Sequence, residues 1–226
     1  WRRGRVEAPL SEVLAAGILG ISGWQPGEPL IDPLCGSGTF IIEAATQAAG
    51  LAPGLLRARS RKQGFFRFHD FDRELARKIL FDLENRVQAP LGTFHASDLD
   101  PAVVLIAEQS AQLAGVADTI KFSCSHFEAV SPGGGPGLVL TNPPYGERLT
   151  QPRAGAVFRR IGDWLKNVCP GWRAGVLAPV GLAKSIGLKP YRRVVLSNGP
   201  IECRLIELVV HGEKVSGAFV GNQTPV

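Results

Sequence analysis

The sequence predicts a three-layer α/β domain, built on a mostly parallel sheet of seven strands with one reversed, and three observations carry that expectation. Short apolar runs of strand length alternate with longer segments of helical period along most of the chain. A glycine loop, Pro33-Leu34-Cys35-Gly36-Ser37-Gly38, follows the first such run and opens a helix. Near the C-terminus two strand-like runs flank Asn198-Gly199-Pro200, a turn too tight for a crossover, so the strands it joins must be antiparallel.

The elements follow in order. A basic arm, Trp1-Arg2-Arg3-Gly4-Arg5, passes into a helix that Pro9 can start and that stops near Gly23, so residues 1–24 read as arm and helix. Leu30-Ile31-Asp32 is a short buried strand, and a helix runs from Thr39 to about Ala49. From Leu51 to Asp70 the pattern is irregular and basic, with Arg57, Arg59, Arg61, Lys62 and Arg67 interleaved with Phe65, Phe66 and Phe68. Phosphate-binding charge next to stackable rings fits a nucleic-acid-facing excursion, whereas rings that anchor a loop beneath solvated arginines would look the same. Leu75, Ile79, Leu80, Leu83 and Val87 give 72–88 a helical period.

Thr93 to Ser97 is the second strand, ending at Asp98-Leu99-Asp100-Pro101, and the helix after it turns Val104, Leu105, Ala107 and Ala111 inward. Asp100 suits the cap of that helix and Pro101 its first turn. Ile120–Cys124 is the third strand, and the glycine-rich loop 131–137 feeds a fourth at Leu138-Val139-Leu140. A helix over 156–168, a strand over 174–178, a short helix over 182–186 and the closing pair of strands, Val194–Leu196 and Glu202–Val210, complete the chain. Neither a repeat nor a linker interrupts it, so 1–226 reads as a single domain.

Composition narrows the function. The 226 residues are 45% hydrophobic, enough for a substantial core, and no apolar run approaches the ~20 residues a membrane span requires. A soluble protein is expected. The chain contains no Met, so it reads as a fragment or as a product trimmed at its N-terminus. Cys35, Cys124, Cys169 and Cys203 are scattered, without a C-x-x-C pair or a nearby His at ligand spacing, which argues against zinc or a disulfide framework and suits a reducing cytoplasm. A net charge of +5, mostly from Arg, is compatible with a nucleic-acid partner and equally with a solvated basic surface.

Two stretches carry chemistry. The segment from Asp32 to Gly38 has the spacing D-x-x-x-G-x-G, so backbone can approach a ligand closely while the strand-end carboxylate accepts from an ammonium group. A dinucleotide site would place a third glycine at position 41, which is Ile, so pyrophosphate binding is disfavoured. Asp98, ending the second strand, can bridge the hydroxyls of a ribose. The second stretch, Asn142-Pro143-Pro144-Tyr145, follows the fourth strand, and its two prolines fix two φ angles and remove two donors. A rigid Asn oxygen and a neighbouring carbonyl can then converge on one amino group with the Tyr ring alongside. A nucleobase amine fits that description, although Asn-Pro and Pro-Pro are also ordinary turn punctuation.

Taken together, these stretches resemble a class I S-adenosylmethionine-dependent methyltransferase. More narrowly, the chain is similar to the catalytic domain of bacterial 23S ribosomal RNA guanine-N2 methyltransferases of the THUMP-associated group. The residues that carry the likeness are Glu7-Ala8-Pro9-Leu10, 32–40, 141–149 and 198–203, in the family's order over nearly the whole chain. The resemblance implies a Rossmann-like methyltransferase fold with S-adenosylmethionine as cofactor. It implies cofactor contacts from Asp32, Pro33, Cys35, Gly36, Ser37, Gly38, Thr39, Phe40, Asp98 and Asn142, with Ser125 and His126 beside the adenine. Asn142, Pro143, Pro144 and Tyr145 become the catalytic turn, and Tyr145, Arg148, Arg57, Arg59, Arg61 and Lys62 the RNA contacts. Asn142 and the Pro143 carbonyl would hold the amine hydrogens while Tyr145 stacks on the extruded base, with no metal involved.

Two departures stand out. The THUMP region that the resemblance leads one to expect before this domain does not stand ahead of Trp1, so it is expected either to have been cut away or to be lacking in this member, and Ser125 occupies a position where Asp is frequent. Adenine-N6 methylation of DNA or RNA, tRNA guanine-N2 methylation and a catalytically silent RNA-binding module remain as alternatives.

Overall fold

The computed structural model describes residues 1–2, 10–59, 64–133, 135–145, 151–199 and 201–211. Its strands are β1 (Leu30–Asp32), β2 (Phe94–Asp98), β3 (Ile120–Cys124), β4 (Leu138–Thr141), β5 (Arg173–Pro179), β6 (Arg192–Asn198) and β7 (Ile201–Val209). They form one sheet in the order β3-β2-β1-β4-β5-β7-β6. Only β7 runs against its neighbours, pairing antiparallel with both β5 and β6, as the tight turn at Asn198-Gly199 requires. The helices are α1 (Glu12–Ile21), α2 (Thr39–Ala48), α3 (Leu55–Arg59), α4 (Arg73–Glu84), α5 (Pro101–Ala114) and α6 (Gln151–Val168).

Alternation along the central strands sorts their side chains onto two buried faces. Leu30, Leu138, Leu140, Leu177 and Leu205 join the core formed with α1, α2 and α5. Ile31, Val139, Val176 and Ile206 join the opposite core with Phe158, Ile161, Trp164 and Leu165 of α6. Coverage of both faces is why these strands read as near-continuous apolar runs rather than as an apolar–polar alternation.

Caps set the helix starts. Ser11 Oγ accepts from the Leu14 amide at 3.2 Å, and Asp72 Oδ1 accepts from the amides of Glu74 and Leu75 at 3.0 and 2.9 Å. Asp100 Oδ1 accepts from the Ala102 amide at 2.9 Å with Pro101 in the first turn, as the sequence leads one to expect. Each such cap contributes about 1 kcal/mol.

Some sequence expectations are corrected. Helix α6 begins at Gln151, five positions before the expected start at 156, because a first turn has no use for the amide that Pro152 lacks. Leu105 turns outward on α5 at 53% exposure, and the buried positions are Val104, Ala107, Ser110, Ala111 and Ala114. The irregular stretch after Leu51 contains α3 and a 3-10 turn over Gly64–Arg67. Helix α4 exists as expected but buries none of its residues: Leu75 and Ile79 are 53% and 47% exposed, lining an apolar groove of about 420 Å³ with Phe66, Phe68 and Phe71. Pro9, Arg61, Lys62, Gly134, Arg148 and Pro200 lie outside the described residues.

Candidate active site

The strand order reverses direction between β1 and β4. Connections leave β1 toward β2 on one side and β4 toward β5 on the other, which opens a crevice at the carboxyl ends of the central strands. A cleft of about 340 Å³ lies there, lined by Asp32, Cys35, Gly36, Ser37, Thr39 and Phe40 after β1, Asp98 and Asp100 after β2, and Asn142 and Pro144 after β4. Stretches that the sequence keeps more than a hundred residues apart thus face one space.

The loop after β1 owes its shape to two left-handed glycines, Gly36 at φ 52° and Gly38 at φ 78°. A Cβ on Gly38 would stand 3.0 Å from the Ala107 Cβ and 3.2 Å from Ile42 Cδ1, so this glycine also lets α2 pack against α5. Around Gly36 a Cβ would meet nothing within 4 Å, which leaves that face of the loop open to a ligand. The Gly36 amide donates to Asp98 Oδ2 at 2.9 Å and the Asp100 amide to Oδ1 at 3.1 Å, fixing the carboxylate while each oxygen keeps further acceptor capacity.

Asp32 is 2% exposed. Burial lifts its carboxyl from the ordinary 3.8 to about 7; the Leu34 amide, 3.2 Å from Oδ1, works against that rise, and the negative charge of Asp98 adds to it. The Cys35 thiol is pushed well up by the same burial, helped by both carboxylates, so it stays a neutral thiol. Asn142 Oδ1 is buried without a hydrogen-bond partner among the described residues. A buried amide oxygen with no donor costs ~1–3 kcal/mol, which a bound N–H group would recover.

The donor set decides what fits. Among the described lining residues the charged groups are Asp32, Asp98 and Asp100, with no Lys or Arg. A pyrophosphate would be repelled, whereas a ligand carrying an ammonium, a sulfonium and ribose hydroxyls meets carboxylates and free acceptors. S-adenosylmethionine has that composition, and Asp32, Asp98 and the open Gly36 loop are the residues that would hold it.

Other sequence candidates fall at varying distance from this space. Pro33 and Pro143 belong to its two loops without lining the cleft. Ser125 donates its amide to the Asp98 carbonyl at 3.0 Å, while its hydroxyl pairs with that of buried Ser97 at 2.9 Å. His126 turns away from the cleft into a surface cluster, where Arg160 Nη2 lies 3.2 Å from its Nε2 and Arg160 forks onto Glu128 with two 2.7 Å contacts. Arg57 and Arg59 sit on α3, outside the cleft, and Arg59 Nε donates to Glu84 Oε1 at 2.9 Å. Tyr145 stands at the end of the turn after β4 and packs against both cores; its hydroxyl accepts from Asn198 Nδ2 at 2.8 Å and lies 3.5 Å from Cys203 Sγ. Leu10, Leu34, Leu99 and Val103 also line the cleft and are missed by sequence reasoning. Leu10 and Leu34 fall inside stretches that carry the resemblance, 7–10 and 32–40, without a role assigned to them, and Leu99, 63% exposed, stands between two acids at a strand end.

Strand order, the single reversed strand and an anionic cleft at the switch point define a class I S-adenosylmethionine-dependent methyltransferase. The chain belongs to the family described as RMKL-like, methyltransferase domain, whose model matches residues 1–207.

Solved structures agree with that membership. SMU.472, assigned as a methyltransferase and crystallised with SAH, is 28% identical at a TM-score of 0.81, the match covering 93% of this chain and 55% of that one. A possible methylase from Clostridium difficile is 26% identical at 0.78, covering 96% and 54%. A predicted N6-adenine-specific DNA methylase from Listeria monocytogenes is 27% identical at 0.77, covering 93% and 53%. The chain therefore spans about half the length of these three structures. No helix among the described residues is long and apolar enough to cross a membrane.

Proposed function

We propose that this chain, acting as a single catalytic domain, methylates the exocyclic N2 amine of a guanine in RNA, with large-subunit ribosomal RNA as the substrate. The observation that carries the reading is the buried, unpartnered Asn142 Oδ1 in the wall of the cofactor cleft. An aromatic amine is a poor nucleophile because its lone pair is delocalised into the ring. Asn142 Oδ1 and the Pro143 carbonyl accept its two hydrogens, which orients the nitrogen toward the cleft and draws the lone pair out of conjugation. Pro143 and Pro144 keep both acceptors fixed during this step. S-adenosylmethionine supplies the activated methyl group when bound. The amine proton becomes acidic only as the new N–C bond forms, so the chain needs acceptors and no strong base; at that stage Asn142 and Pro143 hold the proton until water removes it. Tyr145 provides an aromatic wall for the extruded base, and Arg57, Arg59, Arg61, Lys62 and Arg148 supply charge for the backbone.

The choice of guanine and of ribosomal RNA rests on the sequence resemblance, since the amine acceptors suit any amino-bearing base. The name of the Listeria monocytogenes protein favours adenine N6 in DNA as the second reading. Incubation with methyl-labelled S-adenosylmethionine and either ribosomal RNA, transfer RNA or DNA, followed by digestion to nucleosides, separates them. Label in N2-methylguanosine from ribosomal RNA is expected; label confined to methyladenosine would overturn the guanine assignment.

A further inference from the structure

The β6–β7 hairpin reaches the catalytic edge of the sheet. Because β7 is reversed, it starts where the parallel strands end, with Cys203 paired to Pro179 at the end of β5. Asn198, the last residue of β6, therefore sits at the same edge as the turn after β4, with β5 and β7 between them in the order β4-β5-β7-β6. Tyr145, four residues past the end of β4, crosses that gap. Its hydroxyl accepts from Asn198 Nδ2 at 2.8 Å and lies 3.5 Å from buried Cys203 Sγ, toward which the O–H can donate. Burial holds the Cys203 thiol above its ordinary range, so the sulfur stays neutral and cannot compete for the site as an ion.

We propose that the tip of the β6–β7 hairpin is a positioning device for the catalytic turn, in which Asn198 tethers the Tyr145 hydroxyl over Cys203. This proposal rests on the methyltransfer reading. The two prolines restrain Tyr145 through the backbone, and the hairpin restrains it through the far end of the ring. With the para position fixed, the ring can neither swing into the cleft nor drift toward solvent. The wall against which an extruded base must settle is then in place before the base arrives. Asn198 touches no reacting atom, so it is a positioning residue.

Four forms of the full chain test this: Asn198→Ala, Tyr145→Phe, the double variant and Asn198→Asp. The chain has two tyrosines, so ring-carbon labelling of Tyr gives two NMR resonances, and Tyr191 serves as the internal control. Asn198→Ala is expected to move the Tyr145 resonance and leave that of Tyr191 in place. With labelled S-adenosylmethionine and whichever nucleic acid the unaltered chain methylates, Asn198→Ala and Tyr145→Phe should each lower kcat/KM for that substrate by about tenfold, the scale of losing one preordered side chain. The double variant should be no worse than either alone. Asn198→Asp, whose carboxylate accepts from the tyrosine O–H, should recover most of the loss, and cofactor affinity should stay within about twofold throughout, because only the tether has changed.

An unmoved Tyr145 resonance in Asn198→Ala would overturn the tether, as would losses that multiply in the double variant or a failed rescue by Asp. Absence of label in any nucleic acid with the unaltered chain would instead sink the methyltransfer reading, while the NMR result would still decide the tether.

Discussion

Helices α4 and α6 carry the same kind of apolar stripe in sequence and meet opposite fates. Helix α6 lays Phe158, Ile161, Trp164 and Leu165 against β4, β5 and β7, none of the four more than 3% exposed. Helix α4 presents Leu75, Ile79, Leu80 and Leu83, also at helical period, and buries none of them. The difference lies in what each helix connects. Helix α6 is the crossover between two adjacent parallel strands, so the chain must fold it back onto the sheet. Between β1 and β2 that duty falls to α2, and α4 belongs to an added excursion whose ends meet where the Gln88 amide donates to the Ala49 carbonyl at 2.9 Å. A stripe encodes a face; connectivity decides whether the sheet covers it.

Substitutions can break or sharpen that contrast. The largest expected effect is Phe158→Ala, which empties a fully buried site and should cost ~3–5 kcal/mol, read as a lower denaturation midpoint in urea. Asn142→Ala tests the chemical counterpart at the sheet's edge. Methyl transfer should fall by ~10²–10³ while calorimetry shows near-normal cofactor affinity; parallel loss of both would mean that Asn142 belongs to the cofactor alone. Asp98→Ala should do the reverse, weakening cofactor binding by ~10–100-fold, the range of a charge-assisted hydrogen bond, with little change in melting temperature.

A smaller effect follows from pH. Asp32 titrates near 7 in the folded chain and near 3.8 when unfolded. Its raised value means the native state holds a proton that the unfolded state has lost between those limits, so this group makes stability decline as pH rises from about 4 to about 7 and contributes no further change above. A cationic cofactor prefers the ionised form, so its affinity should tighten as pH rises from 6 to 8. Asp32→Asn should flatten both profiles, in thermal melts and in calorimetry. The smallest effect belongs to the excursion: Leu75→Ala should shift stability by less than ~1 kcal/mol, and a larger loss would show that something covers α4 in solution.

How much was legible follows from the same contrast. The seven strands, the reversed pair around Asn198-Gly199, the Asp100 cap and the glycine loop could all be read, because each depends on local period or on a residue with few conformations. Within the candidate site, Asp32, Gly36, Asp98 and Asn142 could be read from their places at strand ends, since parallel topology puts every such end on one edge. Leu10, Leu34, Leu99 and Val103 could not, as an apolar side chain beside a ligand looks like any other until the cleft exists.

The sequence by itself therefore determined the class of fold and the acids and amide that line the cleft, because strand period, glycine and proline act within a few residues. Only the tertiary structure decided that α4 would stay uncovered, that Asp32 would be buried enough to titrate near 7, and that Asn198 would reach a tyrosine 53 residues away. Those facts depend on which strands become neighbours and what water is excluded between them, and no local stretch of chain contains that information.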